Sequence, residues 1–375
     1  MKFLRSFSVL PVFALIAALA AVGQQTPAPR AAAAEPQLTI LDTDIGDDVD
    51  DAFALALLLK SPEVKLLGIT TAYGDTDLRA RLLNRYLGAL CRFDINVIPG
   101  VPTPQQNAFS QAAYAHGFAN PGCSRLVAHP RSKADQTRMG KERKKDAAQW
   151  KAEQARAMEG VTHLFQQGAA HDAAGFLLDQ INAHPGEITL IAIGPLNNVQ
   201  EAIEKNPAIF RKLKRVVMMG GSIYRGYDGQ GGERRPPDAE WNISRDPAGL
   251  RALLASGVPV FMMPLDSTQI HLQTAERERI FAHGSPLTDQ LTLLYHQWLA
   301  NKGDASPTPT LFDPVAAAFA VHPELCPMTP LRLEVDEKGM TIPVAGIPNA
   351  QVCLKSDEKG FLELLFFRIL AEPGP

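Results

Sequence analysis

No two of the four cysteines, Cys91, Cys123, Cys326 and Cys353, are spaced as C-x-x-C, so neither a cysteine zinc site nor a redox pair organises the chain. An excess of positive charge is also missing. Lys and Arg number 37 against 40 Asp and Glu, for a net charge of -3. That balance gives no pointer to nucleic acid. No internal repeat is present. A run long enough to span a bilayer, about 20 apolar residues, is absent too. The longest apolar stretch, 9–22, is shorter and follows Lys2 and Arg5.

That stretch and its flanks define the N-terminus. A charged start, an Ala-rich apolar run, Ala18-Leu19-Ala20 and then Gln24-Gln25-Thr26-Pro27 together read as a secretory signal peptide over 1–22. No cysteine lies near the cleavage point to take a lipid. Residues 23–36, rich in Pro and Ala, read as a linker, and 37–372 as one large domain. The expected location is periplasmic or secreted, off the membrane once the signal is cleaved. Export permits disulfides, but the pairing of the four cysteines is not encoded in their spacing.

From there, strand-like and helix-like segments alternate. Strands are expected at 38–41, 64–71, 96–100, 188–193, 215–219 and 258–262, and helices at 52–59, 78–90, 173–183, 198–205 and 247–256. This alternation predicts an α/β fold, Rossmann-like, with a mostly parallel central sheet and helices on both faces. A basic, Ala-rich stretch at 133–156 holds one aromatic, Trp150. It reads as a solvated helix in an insertion rather than a nucleic-acid site.

The first strand runs into Asp42-Thr43-Asp44-Ile45-Gly46-Asp47-Asp48-Val49-Asp50-Asp51-Ala52, six carboxylates within ten positions. A strand end leading into a helix is where open α/β sheets bind ligands. A helix cap needs one acid. Six repel one another unless a cation joins them, and hard oxygen donors at this density suit Ca²⁺ or Mg²⁺ rather than zinc. The pattern is not an EF-hand, whose sixth and twelfth positions need Gly and Glu and here hold Asp47 and Phe53. A strand followed by Asp-x-Asp also resembles the haloacid-dehalogenase phosphohydrolases, but Gly46 stands where those favour Thr or Val, and the pair Asp50-Asp51 is left over.

The whole stretch resembles the signature of the inosine–uridine-type nucleoside hydrolases, with two more residues between Gly46 and the final Asp pair than the shortest form. Later strand ends extend the resemblance. They are Thr70-Thr71-Ala72-Tyr73-Gly74-Asp75, Ile193-Gly194-Pro195-Leu196-Asn197, Met219-Gly220-Gly221 followed by Glu240-Trp241-Asn242, and Phe312-Asp313-Pro314. The loop 114–122 with His116-Gly117 resembles a family active-site loop, and the likeness runs from about 38 to 370.

The resemblance implies a nucleoside hydrolase-like fold and Ca²⁺-dependent hydrolysis of the N-glycosidic bond of ribonucleosides, with a metal-bound water as nucleophile. It implies metal ligation by Asp44, Asp51, Asp313 and the carbonyl of Ile193. Asp44 doubles as general base. Asp50 is expected at the ribose 2′-hydroxyl and Glu240 and Asn242 at the other hydroxyls, with Asp75, His116 and Met219 also facing substrate. Two departures stand out: Asp75 replaces a usual Asn, and Phe312 replaces the His that often protonates the leaving base. His116, Tyr224 and Tyr227 are then the candidate donors. A homodimer or homotetramer is implied. An Asp-x-Asp phosphohydrolase, and an exported nucleoside-binding protein without catalysis, are the alternatives.

Overall fold

In the strands, successive side chains fall on opposite sides of the sheet, and both sides are apolar, as a sheet covered twice requires. The structure, a computed structural model, describes residues 35–105, 109–117, 171–229, 232–302 and 308–371. The signal segment, most of the linker, the 133–156 stretch and Cys123 lie outside these residues. The chain divides into Met1–Glu35 and Pro36–Pro375, and the second unit carries the fold.

Nine strands form one sheet: β1 Gln37–Thr43, β2 Val64–Thr71, β3 Asn96–Pro99, β4 Thr189–Ala192, β5 Arg215–Met219, β6 Val260–Met263, β7 Met328–Val335, β8 Thr341–Val344 and β9 Ala350–Cys353. Their order is β3-β2-β1-β4-β5-β6-β9-β7-β8. Pairing is parallel from β3 through β9. Only β7 runs antiparallel to its neighbours β8 and β9. The expected mostly parallel sheet is therefore present.

Alternating residues feed two cores. Leu41, Ile69, Ile191, Val217 and Met263 join one, with Phe53, Leu82, Leu291, Ala317 and Leu365 from the helices Asp50–Leu59, Thr76–Ala89, Pro286–Asn301, Phe312–Val321 and Glu358–Ile369. Ile40, Leu190, Val216 and Met262 join the other, with Leu177, Val199 and Leu250 from Ala173–Ala183, Asn197–Lys205 and Pro247–Ala255. Helices cover both faces.

Cys326 and Cys353 form a disulfide across 5.6 Å between Cα atoms, tying the end of β9 to the segment just before β7. Cys91 is disulfide-bonded as well. No helix among the described residues is long and apolar enough to cross a membrane.

The strand order reverses at β1, which pairs with β2 on one side and β4 on the other. This is the switch point at whose carboxyl end such sheets open a crevice. Asp42 locks it. Its carboxylate accepts from Thr70 Oγ1 at 2.5 Å and from Asn198 Nδ2 at 2.7 Å, and Asn198 also donates to the Thr71 carbonyl. One acid thus ties β1, β2 and the helix after β4 together. Burial still pushes its carboxyl up to about 6 against these two donors, and its second oxygen has no partner among the described residues.

Candidate active site

The acidic stretch leaves β1 as a loop, Asp44 to Val49, and enters the helix Asp50–Leu59, whose residues Asp50 to Leu58 are all buried. A helix apolar on every side is a core helix, and burying it carries Asp50 and Asp51 inward at its first turn. The helix Phe312–Val321 packs on it and brings Asp313 in the same way, also in its first turn. Asp50, Asp51 and Asp313 offer oxygens that all lie within 4.8 Å of one another. The Asp313 N–H donates to Asp50 Oδ2 at 3.2 Å, and Thr43 Oγ1 donates to Asp51 Oδ1 at 2.5 Å.

These three carboxyls are all held well above the ordinary carboxylate range. Burial is the main cause in each. The next is repulsion from neighbouring acids: Asp48 for Asp50, Asp44 for Asp51, and Asp50 for Asp313. Few donors relieve them. Three buried carboxylates with converging oxygens fit a hard divalent cation, which would repay the cost of bringing them together.

Asp44 is buried beside this trio but is not one of the three. The expected ligand set named Asp44, Asp51 and Asp313, whereas the converging set contains Asp50 in place of Asp44. The geometry explains the difference. Asp50 and Asp51 share one helix turn facing Asp313, whereas Asp44 sits at the strand end against β4. A Cβ on Gly194 would lie 2.9 Å from Asp44 Oδ1 and from its N, so only glycine lets the two strand ends approach so closely. Burial pushes the Asp44 carboxyl up to about 7, opposed by the Arg79 guanidinium. A group poised there is suited to exchanging a proton near neutral pH.

Ile193 continues the β1–β4 ladder, its N–H donating to the Asp42 carbonyl at 2.8 Å. Its carbonyl accepts from Asn242 Nδ2 at 3.2 Å, and the same amide reaches the Met219 carbonyl at 3.3 Å. Asn242 thus spans the ends of β4 and β5. Glu240 is the cap of Trp241–Arg245 and is almost fully buried. Its carboxylate accepts from the N–H groups of Gly221, Asn242 and Ile243 at 2.9–3.1 Å, and from the Tyr227 hydroxyl. Burial raises its carboxyl all the same.

The remaining expected residues are more scattered. Asp75 is exposed and caps Thr76–Ala89, its Oδ1 accepting the Leu78 N–H at 2.9 Å. His116 is exposed at the end of the short helix Ala112–His116, and the rest of its loop, 118–122, lies outside the described residues. Phe312 packs edge-on against Tyr227 with ring centres 6.0 Å apart. The Tyr227 hydroxyl also accepts the Trp241 N–H at 2.9 Å, and burial raises its pKa, so it is engaged in holding Glu240. Tyr224 is 59% exposed.

Two contributors lie outside every quoted motif: Gln111 and Arg79. Gln111 donates through Nε2 to the Asp48 carbonyl at 2.6 Å and through its N–H to the Gly46 carbonyl at 3.0 Å. Arg79 is fully buried beneath the acidic loop. A charged residue on the buried face of an otherwise amphipathic helix is the one signal that marks it.

Residues 39–363 match the family described as inosine-uridine preferring nucleoside hydrolase. The chain belongs to this nucleoside hydrolase family. It is therefore an enzyme of the ribonucleoside N-glycosidase class, and the phosphohydrolase alternative falls away. An uncharacterized protein of Schizosaccharomyces pombe is 28% identical over 345 residues, covering 89% of this chain and 97% of that one. A pyrimidine-specific ribonucleoside hydrolase, RihB, of Escherichia coli is 31% identical over 236 residues, 62% of this chain and 61% of that one. Among solved structures, a plant nucleoside hydrolase superposes with a TM-score of 0.66 at 23% identity, over 90% of this chain and all of that one (100%). A purine-preferring ribonucleoside hydrolase from Gardnerella vaginalis superposes at 0.65 with 24% identity, over 89% and 98%. At these identities the superpositions speak for the nucleoside hydrolase-like fold.

Proposed function

We propose that this nucleoside hydrolase is exported and uses Ca²⁺ to cleave the N-glycosidic bond of ribonucleosides, releasing free base and ribose. The converging carboxylates of Asp50, Asp51 and Asp313 beside Asp44 are the observation that carries it. Ca²⁺, when bound, supplies the Lewis acidity that makes a water nucleophilic near neutral pH.

The chain's own residues do the rest. Asp51 and Asp313, common to the family ligand set and the converging trio, hold the cation with the Ile193 carbonyl. Asp44 accepts the proton of the attacking water. Asp50 faces the ribose 2′-hydroxyl from within the trio. Glu240 and Asn242 bind the remaining hydroxyls, their positions set by the backbone donors around Glu240 and by the strand-end carbonyls around Asn242. The concentrated negative charge favours the positive charge that develops on the sugar as the base departs. With Phe312 where an acid often stands, activated leaving groups such as p-nitrophenol or nicotinamide are expected to depart with least help. Pyrimidine-specific and purine-preferring enzymes are both among its relatives, so the proposal is for ribonucleosides as a class. Export rests on the 9–22 segment, and assembly as a homodimer or homotetramer on the family resemblance.

Purified protein incubated with a nucleoside panel and Ca²⁺ is expected to release ribose. Tight nucleoside binding with no ribose released from any member, p-nitrophenyl riboside included, would instead identify a binding protein.

A further inference from the structure

The loop between β1 and its helix, Asp44 to Val49, carries the acids and must be held in place. Besides Asp44, the loop carries two acids outside the carboxylate trio, Asp47 and Asp48. Asp48 is 41% exposed and lies 3.6 Å from Lys302. Asp47 turns inward to Arg79, which is fully buried.

Arg79 has an unusual set of partners. Its Nε donates to the Tyr73 carbonyl at 2.8 Å, its Nη1 to the carbonyls of Asp44 and Ile45, and its Nη2 to Asp47 Oδ2 at 2.8 Å. One face lies 5.2 Å from the Phe109 ring centre, and the Tyr73 ring is 5.9 Å away. Phe109 is itself pressed on Gly46, where an added Cβ would come within 2.2 Å of the ring and φ is +126°. The following carbonyls are held from the other side. Ser110 Oγ donates to the Asp47 carbonyl at 2.8 Å, and Gln111 holds those of Gly46 and Asp48. Every carbonyl from Asp44 to Asp48 is thus fixed by a donor outside the loop.

We infer that Arg79 is a positioning residue that sets the acidic loop, and with it the Asp44 carboxylate, in working geometry before any cation arrives. The inference rests on the proposed roles of Asp44 and Ca²⁺. Its basis is the guanidinium fork: Nη1 grips two carbonyls at the root of the loop, Nη2 holds the carboxylate at its tip, and Nε anchors the group on the Tyr73 carbonyl after β2. Lysine keeps the charge but offers its N–H groups from a single atom, so it cannot span root and tip. Shape, more than charge, is what Arg79 contributes.

The test compares the whole protein with Arg79→Lys and Arg79→Met. Chelator-treated protein is titrated with CaCl₂ by calorimetry, and kcat and KM are measured on one nucleoside. Both variants are expected to lose Ca²⁺ affinity by about 10- to 100-fold and kcat by about 10²-fold, with KM moving much less. Wild-type Ca²⁺ affinity and kcat in Arg79→Lys would overturn the inference, and a melting-temperature loss with both constants intact would leave Arg79 a fold residue only. If neither variant folds, Asp47→Ala, which frees the tip while keeping Arg79, is expected to move both constants in the same direction by less. Unchanged constants there overturn it too. A wild-type protein that binds no Ca²⁺ sinks the metal reading and leaves the kcat of Arg79→Lys to decide. One that binds Ca²⁺ but hydrolyses no nucleoside sinks the activity and leaves the affinity to decide.

Discussion

The two walls of the site are built on opposite electrostatic terms. On the β1 side, Asp44, Asp50, Asp51 and Asp313 are buried with few donors and repel one another. On the β5 side, Glu240 is equally buried yet accepts three backbone N–H groups and the Tyr227 hydroxyl. A buried carboxylate is costly unless it is paired or hydrogen-bonded. The first wall therefore fits a cation from outside, whereas the carboxylate of the second is satisfied within the chain. If the proposed roles hold, metal chemistry and sugar recognition are separable, and each can be disturbed alone.

The largest effect is expected from Asp44→Asn. The amide keeps the shape and cannot take a proton, so kcat should fall by roughly 10²–10⁴-fold, with the circular dichroism spectrum unchanged. Near-normal turnover would move the base to another carboxylate of the same wall.

Chelation comes next. A ligand that binds only the folded state stabilises it by about 2.7 kcal/mol at a hundredfold excess over Kd, so metal removal should lower Tm as well as activity. The metal-free protein should also weaken as pH rises. A carboxyl held above its ordinary range in the fold keeps its proton after the unfolded chain has lost it. The unfolded chain then binds fewer protons, and stability falls with rising pH. For Asp44 that window runs from 3.8 to about 7. Melting curves across it, with and without Ca²⁺, should diverge toward the upper end. Parallel curves would mean that no cation joins the acids.

Glu240→Gln attacks the other wall. One carboxylate oxygen becomes an NH₂ facing backbone donors, and a buried group left unsatisfied costs about 1–3 kcal/mol. Stability and KM should suffer while Ca²⁺ affinity holds. A large drop in Ca²⁺ affinity would show that the walls are not separable.

Asp50→Asn sharpens the boundary between them, since Asp50 belongs to the trio by geometry and to the ribose by resemblance. Loss of Ca²⁺ affinity by about tenfold, in the range for groups that support a metal, assigns it to the cation. A similar rise in KM that disappears for 2′-deoxyribonucleosides assigns it to the sugar. The smallest effect is expected at Asp75, an exposed cap. Asp75→Ala should cost about 1 kcal/mol of stability and leave KM alone. A KM increase larger than the stability loss explains would return it to the substrate.

The strands and helices of the parallel region were readable from the sequence because their signals are local: apolar runs of strand length, helical periodicity and the Gly, Pro and Asp residues that end them. The helix Ala173–Ala183 and the strands Val64–Thr71 and Arg215–Met219 fall on their expected bounds. The pair Asp50-Asp51 was legible for the same reason, as neighbours at one helix start. The antiparallel hairpin of β7 and β8, the Cys326–Cys353 bridge and the place of Asp50 beside Asp51 and Asp313 were not. Each joins segments whose meeting is settled by packing on the sheet. Arg79 is the clearest case: 35 residues from the carbonyl of Asp44 that it holds, it is one basic residue on a helix until Thr76–Ala89 docks and buries it. Residue types and their order determined that acids would gather at a strand end. Which acids face one another, and which cation in the chain braces them, was decided by the sheet that brings distant helix starts to one point.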